Sequence, residues 1–312
     1  MRPRWHALAC GVRRIEHAGP ADLAALQSFA ARLFAATGYH SPGDLAWNES
    51  LSYDRPAENP TAVWQDAGEI RAFGWVEQPS GLMMLVDPRC PELAAEVLSW
   101  AEMVADEPLE IPAADTETTV TRELSERGYR VADGPFFSCL SRPLTDSNFP
   151  ADLRSPSHAR AGFQMREVTD LDAQGWVDAH VLAFPGSRFD LARRRYLTKV
   201  PLYDRRFDLA VFMPDGRLAA YCLGWYDEQN KTGEFEPVGT HPEYRRRGLA
   251  AAVCAAVLAR FRAVGGERAV VNARGDAAYP APKALYESLG FREHTRTRTW
   301  YRVPGNDSRH RG

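Results

Sequence analysis

The chain has 312 residues, 45% hydrophobic and 25% charged, with a formal net charge of -3. That length favours two domains, the composition supplies ordinary buried cores, and the charge gives no whole-molecule field for gathering nucleic acid or anionic lipid. Five widely spaced cysteines without a CxxC pair argue against a disulfide framework and a thiolate zinc site, and no metal site is expected. No apolar run approaches the roughly 18 residues of a membrane helix, and the stretch from Trp5 to Cys10 is too short for a signal segment, so a cytoplasmic protein is expected.

In chain order, a helix is predicted over Asp22 to Ala36. A β-hairpin follows, from Ala62-Val63-Trp64 through a turn at Asp66 to Gly68 into Ile70 to Trp75. A short strand, Leu82 to Pro88, leads to a helix with the stripe Leu93, Val97, Trp100 and Val104, and a last helix breaks at Gly128-Tyr129. The same order then recurs. A helix over Leu171 to Ala183 precedes a hairpin from Ala210-Val211-Phe212 through Pro214-Asp215-Gly216 into Leu218 to Trp225. After it come a strand from Phe235 to Pro242, a helix striped by Leu249, Val253, Val257, Phe261 and Val264, and a closing helix that breaks at Gly290-Phe291. The fold class read from this repeat is α/β of the α+β type, two tandem domains each with a mixed twisted sheet flanked by helices. Their boundaries are 1–145 and 162–304, with a Ser/Pro/Asp-rich linker at 146–161 and a loose tail at 305–312.

The copies differ where chemistry is expected. Arg245-Arg246-Arg247-Gly248-Leu249-Ala250 stands between a strand and a long helix, where the first copy has only Arg89-Cys90-Pro91-Glu92-Leu93. Unpaired N–H groups at a helix start with small residues form an anion cradle, and arginines that oppose the helix dipole there suggest a bound anion such as phosphate. Arg193-Arg194-Arg195, lacking any glycine pattern, reads as a solvated helix face.

The strand ahead of the cradle runs Glu234-Phe235-Glu236-Pro237-Val238-Gly239-Thr240. Proline and glycine two apart predict a bulge or edge that frees the N–H groups of Val238 and Thr240 for an extended ligand. Period-two alternation puts Glu234, Glu236, Val238 and Thr240 on one face, so a carboxylate there could serve as general base. His180, His241 and Cys254 have no metal-spaced partners, and Cys254 reads as core filler. Trp75 and Trp225 read as core in both copies.

These residues resemble the GNAT superfamily of N-acetyltransferases. Arg245, Gly248 and Ala250 match its acyl-CoA signature, and Leu285-Tyr286-Glu287-Ser288-Leu289-Gly290-Phe291 matches its closing motif. The resemblance covers roughly 163 to 303, the first half being a degenerate copy in layout only. It implies that acetyl-CoA is a co-substrate whose diphosphate is held by the backbone of Arg246, Arg247, Gly248, Leu249 and Ala250, with Val238 and Thr240 along the pantetheine arm. It also implies that Glu234 or Glu236 deprotonates a small-molecule primary amine that attacks directly, and that Tyr286 protonates the departing thiolate. The Asn-x-x-Ala common before the closing motif is replaced by Tyr279 and Pro282. Alternatives are a non-catalytic acyl-CoA sensor or scaffold, and a mycothiol-synthase-like acetyltransferase. No nucleic-acid or membrane partner is expected, and oligomeric state is not readable.

Overall fold

The computed structural model describes residues 12–17, 23–54, 59–145 and 162–302. The expected linker at 146–161 and tail at 305–312 lie outside the described residues. The chain begins with β1 (Arg13–His17), α1 (Leu23–Thr37) and α2 (Pro42–Ser52), then β2 (Thr61–Asp66), β3 (Glu69–Glu77) and β4 (Gly81–Val86). Next come α3 (Leu93–Val104), β5 (Glu110–Ala114), α4 (Thr118–Glu126), β6 (Arg130–Val131) and β7 (Phe137–Pro143). The second half holds β8 (Gln164–Glu167), α5 (Ala173–Ala183), α6 (Leu191–Leu197), β9 (Asp208–Phe212), β10 (Leu218–Asp227) and β11 (Thr232–Thr240). It ends with α7 (Leu249–Ala263), β12 (Arg268–Arg274), α8 (Ala281–Ser288) and β13 (Arg292–Tyr301). Among the described residues, no helix is long and apolar enough to cross a membrane.

Both predicted hairpins form, as β2–β3 and β9–β10, and the Gly-Trp pairs that end them have one physical cause. A Cβ at Gly74 would lie 2.8 Å from the Trp100 ring, and one at Gly224 would lie 2.6 Å from the Phe261 ring, so each glycine lets a helix settle onto its sheet. Trp75 and Trp225 are buried as expected. The α7 stripe is buried from Leu249 to Phe261, whereas Val264 caps the helix and is exposed.

The compact units divide the chain differently from the halves read off the sequence. One consists of residues 1–29, 54–134 and 297–312, and the other of 30–53 and 135–296. Strand pairing explains the exchange. In the second unit β7 pairs antiparallel with all of β12, from Arg268↔Pro143 to Arg274↔Phe137, and covers what would be a free edge. The first unit's sheet runs β1-β2-β3-β4-β5 and closes on Thr297 to Tyr301 of β13. The second unit's sheet runs from residues 292–296 of β13 through β7, β12, β11, β10 and β9 to β8.

Within the second unit, α7 packs on one face of the sheet while α2 and α5 contact β10 and β11. The helices α2 and α6 are additions to the predicted elements. Of the α6 arginines, Arg195 is exposed as expected, but Arg193 and Arg194 are buried, with Arg194 paired to the buried Asp208 and lying 4.5 Å from the Trp176 ring centre. The competing force is burial of the long apolar stems together with a paired carboxylate, which the local sequence does not reveal.

Candidate functional site

The site grows from β11. This strand pairs in parallel with β12 only at Thr232↔Arg268, Gly233↔Ala269 and Glu234↔Val270, and the two then part. On its other side β11 follows β10, with a shift in register between Cys222↔Val238 and Gly224↔Phe235. Two residues, Glu236 and Pro237, thus stand against the single Leu223, which is the predicted bulge. His241 donates its N–H to the Ala219 carbonyl at 2.9 Å. Alternation from there turns the N–H groups of Val238 and Thr240 away from β10, towards the gap left by β12.

The bulge also corrects the face assignment. Glu234 meets Ser41 of α2, whereas Val238 packs with Phe235 in the core beneath α7, so the glutamates and Val238 do not share one face. An inserted residue reverses the alternation downstream of it.

At the start of α7 the backbone is left-handed at Arg246 (φ 61°) and Gly248 (φ 74°), the kind of conformation that gathers successive N–H groups into an anion nest. Among the described residues, none of the N–H groups from Arg246 to Ala251 has a hydrogen-bond acceptor; the next one, Ala252, donates to the Gly248 carbonyl at 3.0 Å. The three arginines of the turn are exposed, while Leu249 is buried in the core. Arg245 reaches the Thr240 and Ala183 carbonyls at 3.5 and 3.2 Å and braces the turn, and Arg247 lies 5.5 Å from the Tyr244 ring centre.

The two carboxylates differ in setting. Glu234 is 4% exposed, covered by the first turn of α2, and accepts a hydrogen bond from the Ser41 hydroxyl. Burial, reinforced by the negative charge of Asp44, pushes its pKa from 4.5 up to about 8, against the opposing effect of the Ser41 hydrogen bond. Glu236 is only half-buried, and its carbonyl accepts from the Trp225 indole N–H at 2.7 Å. Desolvation, then the charges of Asp44 and Glu234, raise its pKa well above the usual carboxylate value.

Tyr286 stands on α8, 6% exposed, with its ring against Phe235 and Phe291 at 6.3 and 5.9 Å between centroids. Among the described residues its hydroxyl has no hydrogen-bond partner. Burial first, then neighbouring Cys254, Cys222, Glu236 and Tyr221, pushes its pKa well above 10, so the phenol keeps its proton. Cys254 is fully buried in the same core, as expected of a filler. His180 is also buried, between Tyr221 at 2.7 Å and Ser187 at 3.1 Å, and burial lowers its pKa to about 4. No cluster of His, Cys, Asp and Glu suited to a metal exists among the described residues.

Sequence reading did not find Ser41, Gly43 and Asp44, which bring α2 to Glu234. The signal was there in part, since Ser41-Pro42-Gly43-Asp44 is a helix-start pattern, but nothing local tells which strand that start meets.

Residues 174–291 match the acetyltransferase (GNAT) family. This stretch is a GNAT acetyltransferase domain. It contains the parted strands, the α7 turn, both glutamates and Tyr286, and the family it matches carries out acetyl transfer using acetyl-CoA. The fold is similar to that of a GCN5-related N-acetyltransferase from Sphaerobacter thermophilus, with 20% identity over 93% of this chain and 95% of that one and a TM-score of 0.59. A tandem GNAT protein from the clavulanic acid biosynthesis pathway gives a TM-score of 0.64 at 15% identity, over 95% of this chain and 100% of that one. A GNAT-family acetyltransferase from Colwellia psychrerythraea gives 0.60 at 12% identity, over 94% and 99%. The acetyltransferase domain therefore sits within a tandem GNAT fold. No curated protein matches the sequence at a significant level.

Proposed function

We propose that the protein moves an acetyl group from acetyl-CoA to the primary amine of a small molecule by direct attack, with Glu236 as general base and Tyr286 as general acid. The observation that carries this reading is the run of acceptor-free N–H groups from Arg246 to Ala251 beside the gap between β11 and β12. Those donors suit a diphosphate, and the open edge at Val238 and Thr240 suits an amide-bearing arm. When bound, acetyl-CoA would supply an activated acyl thioester.

The chain's own residues would do the rest. An amine with a pKa of about 10.4 must lose a proton before it can attack, and Glu236 is the more open of the two carboxylates. Its pKa, raised by burial and then by the charges of Asp44 and Glu234, brings it nearer to the proton it must take. A base is active only when deprotonated, so kcat/KM should climb as pH rises through the titration of Glu236, which lies well above the usual carboxylate range. Tyr286, kept protonated by burial, would return a proton to the departing sulfur.

The test is to incubate the purified protein with acetyl-CoA and a panel of primary amines and to follow free thiol. Release that depends on one of the amines supports the reading. Tight binding of coenzyme A with no release for any amine would overturn it in favour of an acyl-CoA-binding protein.

A further inference from the structure

The first turn of α2 touches Glu234 through three residues of different chemical character. Ser41 caps the helix, its Oγ accepting the Asp44 N–H at 3.1 Å, while its hydroxyl hydrogen goes to Oε2 of Glu234. Gly43 lies so close that an added Cβ would collide with the Glu234 carboxyl and come within 2.5 Å of Cγ of Trp225. Asp44 is fixed by His40 Nδ1 at 3.2 Å and Asn48 Nδ2 at 3.0 Å.

Ser41 and Glu234 are each 4% exposed, so their hydrogen bond has little competition from water. A carboxyl held in this way stays under α2, and the half-buried Glu236 is the more exposed residue of the two. We propose that Ser41 is a positioning residue for acetyl transfer, its hydroxyl holding Glu234 against α2 so that Glu236 is the carboxylate that meets the acceptor amine. This rests on the acetyltransferase reading above. The titratable groups around the pair are Asp44 and the neighbouring His40 from α2, Asp227 and Tyr221 from β10, and Tyr286 from α8.

The experiment separates holding from capping. Ser41→Gly removes the hydroxyl but keeps most of the capping preference, whereas Ser41→Thr keeps both. Ser41→Cys keeps the volume and a weak donor. Ser41→Gly is expected to lower kcat about tenfold, to leave KM for acetyl-CoA unchanged, and to move the titration of Glu234 to higher pH by about one unit, because a hydrogen bond favouring its ionised form is lost. Ser41→Cys should shift in the same direction by less, and Ser41→Thr should restore the wild-type profile. Asp44→Asn should move the Glu234 titration the opposite way, since it removes a like charge.

A carbon-13 NMR titration of the Glu234 carboxyl reports the same shifts without turnover. Unchanged titration and pH profile in both Ser41→Gly and Ser41→Cys, whatever their melting temperatures, would overturn the positioning role. Absence of thiol release from the wild type would instead defeat the acetyltransferase reading, while the NMR titration would still report on the Ser41 contact.

Discussion

The helix starts of α3 and α7 occupy the same place in the repeated plan and have opposite chemistry. At α3 the turn satisfies itself: Arg89 N–H donates to Asp87 Oδ1 at 3.0 Å, Cys90 N–H to the Asp87 carbonyl at 2.8 Å, and Leu93 N–H to the Cys90 carbonyl at 3.1 Å, while Pro91 has no N–H. The buried Asp87 carboxylate is also held by the Arg89 and Arg71 side chains at 2.7 and 3.3 Å, so an anion of the protein's own already occupies the turn. At α7, among the described residues, the run of donors from Arg246 to Ala251 has no acceptor.

The contrast extends along the strands. Trp75 pairs with Met83 and Gly74 with Met84, as Trp225 pairs with Glu234 and Gly224 with Phe235, so Met83 and Leu85 stand where the second copy has Glu234 and Glu236. Counting back from the left-handed glycines Gly128 and Gly290, Leu124 takes the place of Tyr286. Strand parting does not distinguish the copies, because β4 and β5 pair only at Gly81↔Glu110. Both copies keep the scaffold, and at these compared positions the second carries donors, carboxylates and phenol where the first does not.

The test with the largest expected effect is Glu236→Gln, which should lower kcat by about 100-fold or more with coenzyme A affinity unchanged in calorimetry. A variant with full turnover would leave the carboxylate contrast without meaning. Gly248→Val should weaken coenzyme A by about 10- to 100-fold, because left-handed backbone strains a β-branched residue. The same calorimetry should find one site per chain, and two equivalent sites would break the comparison at its root.

Tyr286→Phe should lower kcat about tenfold in the thiol assay with near-normal binding, and no change would remove the phenol from the contrast. The smallest effect on the acetyltransferase site belongs to Asp87→Asn, which should leave coenzyme A affinity alone and destabilise the first unit by about 1–3 kcal/mol. The Asp87 pKa is lowered from 3.8 to about 2, its arginine hydrogen bonds outweighing the opposing effect of burial. Its ionised form therefore stabilises the fold above pH 3.8, and that contribution fades as pH falls towards 2. Acid melting curves of wild type and variant should converge in that window, and a constant separation would reject the linkage.

The sequence by itself determined what depends on near neighbours. Turn residues and period-two strands announced both hairpins, the stripe from Leu249 to Phe261 announced α7, and Arg245, Gly248 and Ala250 announced a donor-rich turn, because backbone conformation and amphipathic period are set within a few residues. Tertiary structure decided what depends on distant partners. The bulge at Glu236-Pro237 placed Val238 opposite the glutamates, Asp208 drew Arg194 into the interior, and β7 joined the unit opposite to its half of the chain. Ser41 meets Glu234 across 193 residues of sequence, and only the packing of α2 on β11 decides that meeting. Local propensity fixes an element and the direction of its side chains, while burial and strand pairing choose the partner those side chains find.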